Sequence, residues 1–495
     1  MSYFAIPTFN WQPDILLGAG SGGASAAYYT NQFKHPCDRV NITVYERSDY
    51  VGGRSTTVNV HNDLSMPVEL GASIFVELNR NLVSAAKQFG LNTEGLSANE
   101  VLYLSKTLGV YDGQNWVFRG SESGWWTALK ILWRYGMAPI KTQRLMKQTT
   151  GKFFKMYEEP VFPFKDLSQT AYDLGLTEIT SSTGEQFLEK NGIVPPFSTD
   201  IIQASTRVNY AQNLDKIHAL EAMVCMATDG AMQVRGGNWQ IFDNMLKASG
   251  AQVLLNTSVT SISRQPSGTY AVDASSNFTT INHTSHDTII LAAPLQFANL
   301  TIEPAPLNPP PGIPYVRLHV TLFTSAHALD PQYFNLASMD QVPTTILTTK
   351  PSSSDHPLIF FSISTVRLLH NPKTGQQEYL YKVFSPEPLE QWWLKRIVSA
   401  NRDSEITWKY EKIWHSYPYL EPRVTFEDIQ LDAEGKVWYT SGIESFVSTM
   451  ETSSLMGMNV ARLVVDRWEK ERKHEDAEKM VGKESEHDRI AGEDL

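Results

Sequence analysis

The sequence predicts an α/β fold in which a parallel-sheet domain is interrupted twice by a second, mixed α+β domain, and three observations carry that prediction. A strand, a glycine-rich turn, a helix and a second strand open the chain. An aromatic-rich helical block then separates this unit from further buried strands. A proline-rich break finally introduces longer alternating strands of another kind.

The opening unit is "PDILLGAGSGGASAAYYTNQF" followed by "RVNITVYE". Gly18, Gly20 and Gly23 make G-x-G-x-x-G around Ser21 and Gly22. The first glycine permits the sharp turn, the second lets a pyrophosphate reach the backbone, and the third lets helix and strand pack closely. The helix start presents unpaired N–H groups and a partial positive charge to phosphates. Glu46, followed by Arg47, ends the next strand where a carboxylate binds ribose hydroxyls. Residues 13–90 are therefore the first segment of a Rossmann-type dinucleotide-binding domain. Gly52, Gly53 and Arg54 narrow the choice. A nicotinamide enzyme has no need of them there, whereas an extended FAD needs a second close backbone approach and a cation near its pyrophosphate. "TDGAMQVRGGNW" lacks the spacing of a second dinucleotide fingerprint, so the expected cofactor is FAD and the expected electron acceptor is O2.

Residues 91–230 read as a helical segment of the second domain, typified by "GWWTALKILWRYGMAPIKTQRLMKQ" with apolar positions three and four apart. Strand character returns over 231–304 in "AQVLLNTSVTSISRQ", "GTYAVDAS" and "HDTIILAAP", the second segment of the first domain. After "PLNPPPG", residues 305–430 predict an antiparallel sheet from "YVRLHVTLFTS", "LIFFSIST" and "EYLYKVFS". Residues 431–468 close the first domain with a final helix, in which Gly457 permits close packing. Residues 469–495 are a solvated tail dense in both charges.

The 495 residues, 42% hydrophobic, suffice for two cores in a soluble protein. A net charge of −11 excludes nucleic-acid binding and suits a small, neutral or apolar substrate. Cys37 and Cys225, far apart, read as core thiols. No metal site is expected, because His283 and His286 lack thiol or carboxylate company and read as part of a loop. No G-x-S-x-G elbow points to a serine hydrolase. Neither a transmembrane run nor a signal peptide is visible, while sequons at Asn41, Asn256, Asn277, Asn282 and Asn299 leave glycosylation and compartment open.

Six blocks, "GAGSGGASAAYY", "VYERSDYVGGRSTTVNV", "PVELGASIF", "GAMQVRGGNWQIF", "HSYPYLEPRVTFED" and "GIESFVSTMETSSLMGMNVARLVVD", together resemble the prenylcysteine oxidase family, also called prenylcysteine lyases, in that family's order. The resemblance implies a fold like that of glutathione reductase and the amine oxidases. It also implies FAD-dependent oxidation of an S-farnesyl or S-geranylgeranyl cysteine with O2 and water to prenyl aldehyde, cysteine and H2O2, in a lysosomal, vacuolar or secretory setting. By the same resemblance Gly71, Ala72 and Ser73 lie near the cofactor, Val259 touches the adenine through its backbone, and Glu444, Thr449, Met450 and Glu451 face the flavin from the start of the last helix. His415, in "WHSYPYL", is the candidate to assist the attacking water, with Glu221 and His218 behind it. Two alternatives stay open: an oxidase of another prenylated or allylic small molecule, and a non-catalytic prenyl-binding protein of the escort type.

Overall fold

The structure, a computed structural model, describes residues 14–36, 38–95, 107–121, 133–276, 280–351 and 358–493. Five short strands gathered from distant parts of the chain form one sheet. Their order is Val437–Tyr439, Ile289–Leu291, Asp14–Leu17, Ile42–Tyr45 and Gln252–Leu254, and every pairing is parallel. Parallel strands need covering on both faces, and Ile289 to Leu291 and Val437 to Tyr439 are accordingly buried throughout. One face carries the helix Ser21–Phe33 against the terminal helix Met450–Glu493. A Cβ at Gly457 would sit 2.2 Å from the Gly22 carbonyl oxygen, so the two helix backbones touch there as the sequence predicts. The other face carries a four-stranded sheet, Thr280–His286, Tyr270–Ser276, Thr257–Arg264 and Thr301–Glu303, over a core including Tyr45, Ile262, Val272 and Leu291.

The second domain is built on a seven-stranded sheet ordered Ile406–Pro418, Tyr315–Ser325, Gln377–Ser385, Ser362–His370, Thr345–Thr348, Thr107–Tyr111 and Trp116–Ser121. It is antiparallel except where Thr345–Thr348 runs parallel to Thr107–Tyr111. Val316, Leu318, Val320 and Leu380 on one face pack on Val60, Val68 and Leu70 of the first domain. That contact sets the sheet over the cofactor domain. A helical lobe including Ala138–Phe154, Gly184–Lys190, Gln203–Tyr210 and Ala219–Val224 closes the side.

Four details differ from expectation. The segment 91–230 is not wholly helical, because its hairpin Thr107–Ser121 extends the second domain's sheet; residues 122–132 of its aromatic block lie outside the described residues. "AQVLLNTSVTSISRQ" is two strands in two sheets, separated at Asn256, whose φ is +52°. His283 and His286 end the strand Thr280–His286 rather than a loop, and His286 is buried; among the described residues no cluster could hold a metal ion. The charged tail, expected to be partly helical or disordered, is helical as far as Glu493. Cys225 is buried as expected, and Cys37 lies outside the described residues.

Candidate active site

A cavity of about 1920 Å³ runs between the domains, lined by both glycine loops, the start of the terminal helix and the second domain's sheet. Pockets for one small molecule hold roughly 300–1,000 Å³. This one has room for a dinucleotide and a second molecule.

The helix Ser21–Phe33 starts at Gly20 with no side-chain cap and no acidic residue in its first turn. Its first N–H groups have no intrahelical acceptor, since Ala24 is the residue whose N–H reaches the Gly20 carbonyl, at 2.9 Å. An uncapped helix start opening on a cavity suits a diphosphate. The turn itself is tight: a Cβ on Gly23 would lie 2.1 Å from the Gly18 carbonyl oxygen. The second glycine loop is tied to the first by the Gly52 N–H, which donates to the Ala19 carbonyl at 2.9 Å. Gly52 has φ +114°, and a Cβ there would meet the Ser55 carbonyl at 2.2 Å. Both loops are thus held by backbone, and at Gly23 and Gly52 only glycine fits.

Glu46 is buried, and its carboxylate accepts the Ala19 N–H at 2.7 Å and the Ser48 N–H at 2.9 Å. Acceptor positions remain on both oxygens for hydroxyl donors. Val259 lines the same cavity, on the strand whose first residue, Thr257, donates its N–H to the Glu46 carbonyl at 2.9 Å. Arg47 is exposed and donates to the Phe297 carbonyl at 2.8 Å. Phe297 stacks on His415, ring centroids 4.6 Å apart. That stacking ties the exposed His415 imidazole to the segment that also accepts Arg47, and His415 lines the cavity next to Ser416, whose carbonyl accepts Arg54.

Arg54 donates to the Ser416 carbonyl and to Glu444, both at 2.6 Å, and Glu444 also accepts the Tyr315 hydroxyl at 3.1 Å. Burial pulls the Arg54 pKa down, and the adjacent Glu444 carboxylate more than offsets this. Three of the five guanidinium N–H donors stay available to a ligand.

At the terminal helix Thr449 is the cap: its hydroxyl accepts the Thr452 N–H at 3.0 Å. The Met450 carbonyl accepts the Ser21 hydroxyl at 2.6 Å, joining this helix start to the glycine turn. The Glu451 side chain is engaged elsewhere. Its buried carboxylate accepts the Asn81 N–H at 2.8 Å, the Leu82 N–H at 3.0 Å and the Tyr157 hydroxyl at 2.7 Å, so it caps the helix Arg80–Gln88 from across the domain. The terminal helix offers the cavity its backbone N–H groups.

Glu221 is fully buried and accepts the Ser448 N–H at 3.1 Å, with Oε1 unpartnered among the described residues, while the Tyr210 hydroxyl donates to the Ser448 carbonyl at 3.0 Å. The pair clamps the residue before the Thr449 cap. His218 caps its own helix by accepting the Glu221 N–H, and burial pushes its pKa down to about 3, so it is a neutral structural group. Burial pushes the Glu221 pKa up to about 7. Between its ordinary value of 4.5 and 7 the folded protein retains a proton that the unfolded chain loses, so stability falls as pH rises through that window. Glu221→Gln should remove this slope. Its thermal stability relative to the parent should rise between pH 5 and pH 8 by on the order of 3 kcal/mol, whereas parallel pH profiles would mean that the carboxyl ionises normally.

The sequence reading missed a polar junction beneath Gly71, Ala72 and Ser73. Asn238, fully buried in the "GGNW" block, donates its N–H to Glu69 Oε1 at 2.5 Å and its amide to the Ala72 carbonyl at 2.8 Å, and accepts the Val234 N–H at 2.8 Å. From the second domain Lys382 donates to the Glu69 carbonyl at 2.9 Å and to the Ser73 hydroxyl at 2.7 Å. Burial lowers the Lys382 pKa and raises that of Glu69, each opposed by the other's charge, and the pair titrates together near pH 8. Both residues line the cavity. A signal did exist in "YLYKVFS": a lysine centred in an aromatic strand has nowhere to put its charge except a built site.

A sequence profile described as Prenylcysteine lyase matches residues 118–477, and one for an NAD(P)-binding Rossmann-like domain matches residues 17–89. The chain is 27% identical over 474 residues to farnesylcysteine lyase of Arabidopsis thaliana, spanning 92% of this chain and 88% of that protein. It is 28% identical over 484 residues to prenylcysteine oxidase 1 of Rattus norvegicus, with the same two shares. Prenylcysteine oxidase 1-like protein of Bos taurus is 25% identical over 496 residues, spanning 95% of this chain and 93% of that one. Among solved structures, putrescine oxidase bound to putrescine superposes with a TM-score of 0.56 at 14% identity, over 92% of this chain and 99% of the other. Cyclohexylamine oxidase from Brevibacterium oxydans IH-35A gives 0.56 at 15% identity over the same shares. These structural likenesses show the fold, the α/β architecture of the flavin amine oxidases.

Proposed function

The chain belongs to the prenylcysteine lyase family, and from that premise we propose that it cleaves the thioether of S-farnesyl or S-geranylgeranyl cysteine with O2 and water, giving prenyl aldehyde, cysteine and H2O2, with FAD as cofactor. The observation that supports this most is the continuity of the large cavity between the domains. It joins an uncapped glycine helix start to apolar second-domain walls that include Val208, Val224, Leu347, Val366 and Phe384, with a buried amine where the domains meet.

FAD, when bound, supplies two-electron oxidation of the allylic carbon next to sulfur and transfer of those electrons to oxygen. Ser21 to Gly23 and Gly52 to Arg54 would hold its pyrophosphate, Glu46 its ribose, and Thr449 to Glu451 would set positive helix-end potential against the ring. The apolar walls exclude bulk water from a prenyl chain. One water must still add to the oxidised carbon and lose a proton. Lys382 Nζ, whose pKa burial lowers, accepts it in its neutral form and returns it to the departing cysteine sulfur.

Anaerobic addition of farnesylcysteine to the purified flavoprotein tests the reading. The flavin absorbance should bleach with release of one thiol per flavin. Bleaching by a thiol-free prenyl alcohol but not by farnesylcysteine would transfer the assignment to another prenylated metabolite.

A further inference from the structure

The helix Ala138–Phe154 turns an unusual face outward. Its inner side is ordinary: Met146, with Tyr135 just ahead, packs in one apolar cluster with Tyr210 and Cys225, both of which line the cavity. On the outer side Ile140 is 52% exposed, and in the segment that leads into the helix Trp133 is 91% and Met137 56% exposed. Single exposed apolar residues are commonplace, but three large ones within eight positions are a patch that favours contact with something apolar.

The charge around them is one-sided. From Trp133 to Tyr157 there are six Lys and Arg and no Asp or Glu, in a chain whose net charge is −11. Arg134 is neutralised by Asp200 at 2.9 Å. Lys141, Arg144 and Lys147 are exposed, and Arg144 and Lys147 have no ion-pair partner among the described residues. Ile140, Gln143, Arg144, Lys147 and Gln148 line a surface recess of about 400 Å³. Two cations, two amides and one apolar side chain complement a phosphate headgroup above an acyl chain.

We propose that this face docks the protein on an anionic lipid bilayer, Trp133, Met137 and Ile140 entering the interface while Lys141, Arg144 and Lys147 meet lipid phosphates. An otherwise acidic protein is repelled by such a surface unless it presents a local cationic face, and this face supplies one. The contact is with the membrane surface, since no helix among the described residues is long and apolar enough to cross a bilayer. It rests on the reading above only for its purpose, because prenylated substrates partition into membranes; the binding itself needs no turnover.

Vesicle flotation of the flavoprotein is the test, with phosphatidylcholine alone and with roughly one phosphatidylserine in three. Binding to the anionic vesicles only, weakening with added salt, is expected. Each Lys or Arg near such a surface is worth about fivefold, so Arg144→Gln with Lys147→Gln should weaken binding by at least about tenfold. Met137→Ser with Ile140→Ser should weaken it independently, and all four substitutions should leave flavin content and turnover of detergent-dispersed farnesylcysteine unchanged. Equal binding to neutral vesicles, no binding to either, or binding indifferent to both double variants would overturn the proposal. So would a protein partner captured by this face in the absence of vesicle binding. Failure of turnover with intact vesicle binding would instead count against the proposed reaction alone.

Discussion

Gly23→Val should yield a colourless protein. A Cβ at Gly23 falls 2.1 Å from the Gly18 carbonyl oxygen and 3.2 Å from the Ala292 Cβ, and the first of these is backbone that cannot swing aside. Overpacking of flexible side chains costs about 1–3 kcal/mol. Against backbone the chain must instead open the very turn that presents the first three N–H groups of the helix Ser21–Phe33. Visible flavin absorbance per mole of protein is therefore expected to fall at least about tenfold, the ligand affinity lost with roughly 1.4 kcal/mol of cradle distortion. Gly151→Ala is the control, because Gly151 lies inside the helix Ala138–Phe154 with nothing within 4 Å of a built Cβ. It should keep its flavin and gain about 0.5–1 kcal/mol of stability. Full flavin retention by Gly23→Val would remove the glycine turn from the cofactor site.

Lys382→Met should keep the flavin and lose the reaction. Methionine fills the space without the amine, so the fall is expected in kcat, by about 10²- to 10⁴-fold for a lost proton acceptor, with little change in KM. The pH profile separates a chemical role from a merely structural one. Burial penalises the ammonium, so the parent enzyme should gain activity as pH rises through about 8, where the Lys382 and Glu69 pair gives up its proton. The variant should show no such limb. An unchanged limb in Lys382→Met, or loss of flavin together with activity, would return Lys382 to the role of a bolt between the domains through Ser73 and the Glu69 carbonyl.

The glycine spacing, Glu46 after the second strand, and Gly52 to Arg54 were all legible from residues alone, and the structure brings them to one cavity wall. Each is a local demand: a turn with positive φ, a helix start without a cap, a strand end that points a carboxylate back at the turn. Such demands act over a few residues and so leave a pattern in the chain. The alternation of "YVRLHVTLFTS" and "EYLYKVFS" is local in the same way, and both became paired strands of the second domain's sheet.

Other assignments depended on contacts that no spacing encodes. Glu451 stands in a helix start that faces the cavity, yet Asn81, Leu82 and Tyr157 claim its carboxylate from more than 290 positions away. His415 was a candidate because imidazole titrates near neutral pH, and its stacking on Phe297, from a stretch more than a hundred positions away, is a contact that no spacing encodes. The junction of Glu69, Asn238 and Lys382 draws on three separate stretches, and its titration near neutrality comes from burial between domains. By itself, then, the sequence determined the glycine turns and the carboxylate that line one wall of the cavity, because backbone geometry is specified locally. Tertiary structure alone decided which carboxylates are used up as helix caps and which amine has its pKa lowered in the cavity wall, because desolvation and long-range hydrogen bonding exist only once distant segments have packed.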